Sequence, residues 1–156
     1  MLQKTIRKTS RAQSARITIV ASAYNSEYVD GMIDAAVNVL AEGGVENVEL
    51  IRVPGAFEIP VIAAKTARRK RKRPQVVLNL GVIFRGKTAH ADYIGNSITQ
   101  SLASIATETE VPMIHEVLLL ENKSQAKSRC LSRETNRGAE AAHTALAMAE
   151  LFRQIS

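Results

Sequence analysis

A carboxylate, an imidazole, aromatic rings and paired cations recur in this chain just after aliphatic runs, where a fold can gather them. The densest example is VVLNLGVIFRGKTAHADY at positions 76–93. Its Arg85-Gly86-Lys87-Thr88 turn offers two charges, a hydroxyl and a residue without a side chain, and His90 stands just beyond. A turn of this kind suits an anion, because backbone N–H groups at the start of a helix, with the positive end of its dipole, favour negative charge. Gly86 allows close backbone approach, and imidazole changes its charge near neutral pH, so His90 is suited to move protons on a bound molecule. Taken alone, the segment is equally well a tight strand-to-helix turn with two solvated cations.

Other runs end in the same way. Tyr24 and Asn25 follow the run at 17–23, and Pro54-Gly55-Ala56-Phe57-Glu58-Ile59-Pro60 follows the run at 48–53. His115 lies on the run at 112–120, with Glu121 and Asn122 just after it. Each has a plain structural reading: Tyr24 and Phe57 as rim packing, Glu58 as a carboxylate stabilised by a helix N-terminus. Together they set aromatic faces, a carboxylate, an imidazole and cations around an anion-binding turn.

Positioning these groups requires strands alternating with helices. The run Val76-Val77-Leu78-Asn79-Leu80, continued by Val82-Ile83-Phe84, lacks the alternation of a half-solvated strand and predicts a parallel strand covered on both faces. Strands are expected at 17–23, 48–53, 76–84 and 112–120. An Asn25-Ser26 cap should open a helix whose apolar positions Val29, Met32, Ile33, Ala36, Val37 and Leu40 share one face, ended by Gly43-Gly44 in a left-handed cap. Pro60 fits the first turn of a helix running to about Arg71; further helices are expected at 91–109, 124–130 and 136–155. The pattern predicts an α/β fold: a three-layer α/β/α sandwich on a four-stranded parallel sheet, with every suggestive segment on the sheet's carboxyl edge. Residues 1–15 read as a flexible basic tail, and 16–156 as one domain.

The composition narrows the function classes. The chain has 156 residues, one cysteine (Cys130), no tryptophan and a formal charge of +6. An internal disulfide or a cysteine-built metal cluster is therefore excluded, and Cys130 is expected to be packing. No apolar stretch approaches the ~18 residues of a membrane span, and no secretory pattern stands at the start, so a cytoplasmic protein is expected. The run Arg68-Arg69-Lys70-Arg71-Lys72-Arg73 contains no aromatic residue for stacking on bases. It reads as a solvated helix end better than as a nucleic-acid patch.

From Arg16 to Phe152 the chain resembles lumazine synthase. The resemblance is carried by PGAFEIP at 54–60, LGVIFRGKTAH at 80–90, and the ordered series Asn96, Glu121-Asn122, Gln125-Ala126, Arg129, Asn136 and Gly138. It implies a flavodoxin-like fold and a transferase of the penultimate step of riboflavin biosynthesis. That enzyme condenses 5-amino-6-(D-ribitylamino)uracil with L-3,4-dihydroxy-2-butanone 4-phosphate to give 6,7-dimethyl-8-ribityllumazine, phosphate and water, with no cofactor and no metal. By the resemblance, Tyr24 stacks on the pyrimidine. Ala56, Phe57 and Glu58 bind its polyol chain, while Val82, Ile83 and Phe84 line its side mainly through backbone groups. Gly86, Lys87, Thr88 and Arg129 hold the phosphate, and His90 shuttles protons. It further implies a pentamer, or a multiple of pentamers, in which His115 and Arg129 come from the neighbouring subunit; riboflavin synthase is a candidate partner, and neither nucleic acid nor membrane is expected.

The chain departs from the family at several points. Position 115 is His where many relatives carry Phe, so an imidazole would cover the ring. Ser97 follows Asn96 where Glu is frequent, Phe84 replaces a smaller aliphatic residue, and residues 131–135 lack the glycines of shell-forming members. These departures leave a noncatalytic lumazine or flavin carrier as the rival reading, against which the retention of His90, Glu58 and Arg129 counts.

Overall fold

The computed structural model describes residues 14–156. The basic tail expected over 1–15 thus lies, apart from its last two residues, outside the described residues. Four parallel strands, β1 (Arg16–Ser22), β2 (Asn47–Val53), β3 (Val76–Phe84) and β4 (Met113–Leu120), form one sheet in the order β2-β1-β3-β4. Helices α1 (Ser26–Glu42) and α5 (Arg137–Ile155) cover one face, α2 (Ile59–Ala67) and α3 (His90–Thr109) the other, and α4 (Lys123–Cys130) packs near α1. This is the three-layer α/β/α arrangement expected.

The pleat sorts the strand residues. Ile17, Ile19 and Ala21 with Val76, Leu78, Leu80 and Val82 face α1 and α5; Val20, Val53, Val77 and Val117 face Ile59, Ala63, Ile98 and Leu102 of α2 and α3. Full burial of such side chains stabilises by roughly 1.5–3 kcal/mol each, so the two layers grip the central strands from both sides.

Three local expectations are corrected. Asn25 does not cap α1 with its side chain; its backbone is left-handed (φ 58°) and its Nδ2 donates to the Val82 carbonyl at 2.8 Å, tying the exit of β1 to β3. The left-handed glycine after α1 is Gly44 (φ 90°), while Gly43 remains helical. Helix α2 stops at Ala67 rather than near Arg71. The basic run is pulled sideways instead: Arg68 pairs with Glu108 at 3.0 Å, Arg69 with Glu49 at 2.7 Å, and Arg73 donates to the Thr109 carbonyl. Lys72 then takes a left-handed turn (φ 55°) into β3.

Strand β3 overshoots its neighbour. Its pairing with β1 ends at Ala21 and Leu80, whereas its pairing with β4 runs on to Phe84 and Leu120. Beyond Leu80 the β1-side edge of β3 has no strand partner, and this opens a crevice at the point where the strand order reverses, the usual ligand position in such sheets.

Candidate active site at the carboxyl edge of the sheet

Two backbone hydrogen bonds zip the exits of β1 and β2 together: Ala23 N–H to the Val53 carbonyl at 2.7 Å and Tyr24 N–H to the Pro54 carbonyl at 3.2 Å. They set Tyr24, 73% exposed, beside the 55–58 turn that carries Phe57, 61% exposed. Residues Ala56–Glu58 form a single 3₁₀ turn, held shut by the Gly55 N–H donating to Glu58 Oε2 at 2.9 Å. Glu58 Oε1 has no partner among the described residues. One carboxylate oxygen therefore shapes the loop while the other remains available as an acceptor. Fully buried Ile59 anchors the turn from below.

On β3, Val82 is buried and its carbonyl is already engaged by Asn25. Phe84 turns its ring edge-on to Tyr28, with centroids 5.7 Å apart, so its side chain belongs to the α1 layer. Any lining by Val82, Ile83 and Phe84 is thus left to backbone on the crevice side, less the Val82 carbonyl.

The turn after β3 separates its cations. Arg85 is tied by Nε to Glu121 at 2.7 Å and by Nη1 to Asp92 at 2.5 Å, and this pair of carboxylates raises its pKa above the ordinary value. Arg85 thus serves the turn's shape more than its charge, contrary to the sequence expectation. Lys87, Thr88 and His90 are exposed; Lys87 and the His90 ring make no hydrogen bond or ion pair among the described residues. His90 N–H reaches Thr88 Oγ1 at 3.4 Å as α3 begins. A Cβ added to Gly86 would meet nothing within 4 Å, and its φ lies outside the left-handed region. Neither packing nor backbone conformation within the chain demands glycine there, which leaves an approaching ligand as the reason for it.

Tyr24, Ala56, Phe57, Glu58, Val82, Ile83, Phe84, Gly86, Lys87, Thr88 and His90 therefore gather on one edge. His115 and Arg129 do not join them. His115 sits between β4 and α3: its Nδ1 accepts from Val117 N–H at 3.1 Å and its Nε2 meets Thr99 Oγ1 at 2.8 Å, while the Thr99 hydroxyl donates to the Gly95 carbonyl. Those partners fix a neutral imidazole protonated on Nε2, and burial holds its pKa below the ordinary value. Thr99 lies nine residues along α3 from His90, about 13 Å of helix rise. Arg129, exposed at the end of α4, lies toward Glu116 on the opposite face of the sheet. Glu116 pairs in register with Leu80, four residues before Phe84, roughly 13 Å down the strand.

A family model described as 6,7-dimethyl-8-ribityllumazine synthase matches residues 14–153. The chain belongs to the lumazine synthase family. Among solved structures, the crystal structure of a sigma-54 interaction domain protein from Enterococcus faecalis aligns at 10% identity over 90% of this chain and 94% of that one, with a TM-score of 0.35. That likeness is too loose to bear on the site. Among the described residues of this lumazine synthase family member, no group of three or more His, Cys, Asp or Glu is arranged to hold a metal ion, and no helix is long and apolar enough to cross a membrane.

Three features escaped sequence reasoning. Tyr93, 72% exposed in the first turn of α3, adds a third aromatic near the loop; its position three residues after His90 was the available signal. Asp92 and Glu121 restrain Arg85, and only their charges hinted at it. Cys130 is fully buried, as expected, and burial pushes its thiol up to about 11, which leaves it unreactive.

Proposed function

We propose that this protein condenses 5-amino-6-(D-ribitylamino)uracil with L-3,4-dihydroxy-2-butanone 4-phosphate to 6,7-dimethyl-8-ribityllumazine, releasing phosphate and water. The observation that carries the reading is the division of labour in the 85–90 turn. Arg85 is committed to two carboxylates, while Lys87 and His90 stay uncommitted beside a glycine whose missing side chain faces open space.

In this reading Tyr24 stacks on the pyrimidine, a contact contributing ~1 kcal/mol beyond burial. Glu58 Oε1 and the backbone at Ala56 and Phe57 take the polyol hydroxyls. Backbone of residues 82–84 lines the ring edge, and Gly86, Lys87 and Thr88 cradle the phosphate. The pyrimidine amine adds to the ketone and loses water to form an imine; phosphate leaves; the second amine then closes the ring with loss of another water. His90 accepts and returns protons along this path. Because an amine and a ketone react readily once aligned, holding them together supplies more of the rate than proton transfer does.

Arg129 and His115 make no contact with this cluster within the chain, and in this reading a neighbouring copy supplies both. His115 then presents to the pyrimidine the side of a ring already fixed by Thr99, and Arg129 adds a forked cation to the phosphate. The assembly is a homo-oligomer whose active sites lie between copies, located in the cytoplasm.

The test mixes the purified full chain with both substrates and follows the fluorescent lumazine, with the uncatalysed rate subtracted and Arg129→Ala in parallel. Saturable acceleration that weakens in the variant is expected. Absence of acceleration, together with tight binding of the product, would sink the enzymatic reading in favour of a carrier.

A further inference from the structure

Behind β4, on the face covered by α1 and α5, a second set of charges meets away from the 85–90 turn. Glu116 is 7% exposed and accepts from Arg137 Nε at 3.0 Å; Arg137 Nη1 continues to Glu140 at 3.1 Å. Burial raises the Glu116 carboxyl above its ordinary pKa, opposed by Arg137 and by the nearby charge of Arg129. The groups facing Glu116 are thus Arg137 and Glu140 from α5 and Arg129 with Cys130 from α4.

The backbone explains why two arginines meet there. Asn136, 8% exposed, caps α5 by accepting from Gly138 and Ala139 N–H at 2.8 and 3.2 Å. Its Nδ2 donates to the carbonyls of Cys130 at 2.7 Å and Gly31 at 3.3 Å. Arg129 precedes Cys130 and Arg137 follows Asn136, so one buried amide holds both arginine backbones. The start of α5 cannot drift, because a Cβ on Gly138 would lie 2.0 Å from the Met32 carbonyl oxygen.

Two adjacent guanidiniums repel each other, and a carboxylate at their back offsets that repulsion at the cost of its own desolvation. Arg137 commits Nε and Nη1 to carboxylates; its Nη2 and the whole Arg129 guanidinium are uncommitted among the described residues. This is the donor arrangement that a tetrahedral dianion takes. Resting on the phosphate role proposed above for Arg129, we propose that Glu116 is a positioning residue, holding Arg137 beside Arg129 so that the two guanidiniums form one phosphate subsite with a buried counter-charge behind it.

The experiment titrates the assembled full-length protein with inorganic phosphate by calorimetry, which reads the subsite whether or not the chain turns over. The KM of each substrate is measured alongside. Glu116→Ala is expected to weaken phosphate binding and raise the KM of the phosphorylated ketone about tenfold, the scale of a lost charge-assisted hydrogen bond. The pyrimidine KM and kcat should stay unchanged. Glu116→Gln, whose amide oxygen still accepts from Nε, is expected to recover to within about threefold of wild type, and Arg137→Met to match the alanine variant. Unchanged phosphate affinity in Glu116→Ala overturns the proposal. Should that variant not fold, unchanged affinity in Arg137→Met does the same, and so does an equal rise in both KM values. Phosphate binding that depends on Glu116 without any wild-type turnover would instead remove the synthase reading and leave the subsite standing.

Discussion

Asn136 joins α1, α4 and the start of α5 through one side chain, and its replacement should be felt in both stability and phosphate recognition. Asn136→Ala removes two accepted N–H bonds at the α5 cap and two donated bonds to the Cys130 and Gly31 carbonyls. Loss of an N-cap costs ~1 kcal/mol, and leaving the buried Cys130 carbonyl without its 2.7 Å partner costs about 1–3 kcal/mol more. The sum, near ~3 kcal/mol, corresponds to a fall in Tm of roughly 6–12 °C for a domain of this size. Asn136→Asp separates the two roles: the carboxylate still caps α5, but it repels the Cys130 carbonyl. Thermal unfolding followed by circular dichroism at one protomer concentration gives the stability order wild type, then Asp, then Ala, and calorimetry with inorganic phosphate gives the functional one. A Tm for Asn136→Ala within about 2 °C of wild type would refute the assignment of this side chain as the junction.

Gly86→Leu is expected to leave Tm unchanged, since an added side chain starts into open space, while the KM of the phosphorylated ketone rises; steady-state kinetics beside a melt checks both. His90→Ala should retain slow but measurable turnover, about 10²-fold below wild type; full retained rate in the lumazine fluorescence assay would remove its assigned role. Glu49 carries the pH prediction. The hydrogen bond from Arg69 lowers its folded pKa below the ordinary carboxyl value, so its stabilisation is complete above the unfolded pKa and disappears as pH falls through the folded one. The Tm advantage of wild type over Glu49→Gln should therefore be largest above about pH 5 and shrink below about pH 4.

Strand β3 was legible to its last residue because a continuous apolar run between Pro74 and Gly86 admits few alternatives. The α/β/α layering followed from the alternation of such runs with amphipathic helices. Helix α2 was over-extended because arginine and lysine are good helix formers by propensity, whereas the partners that unwind the run, Glu49, Glu108 and Thr109, lie 20 to 40 residues away in sequence. Asn25 misled for the same reason: a local cap and a bond to the carbonyl of Val82, 57 residues on, look identical in sequence. Site residues on exit loops could be collected from their positions alone. The separation of Arg129 and His115 from the rest, and the clamp on Arg85, depend on which face each side chain takes, and one-dimensional spacing does not encode that for an edge strand.

The ionic clasps Arg68 to Glu108 and Arg69 to Glu49, with Arg73 on the Thr109 carbonyl, all lie at the amino edge of the sheet, opposite the loops that carry Tyr24, Phe57 and His90. Ends so far apart share no partners, and substitutions at them should combine nearly additively. The exit loops can thus drift in sequence, and take on new substrates, without loosening the end that fastens the helices to the sheet.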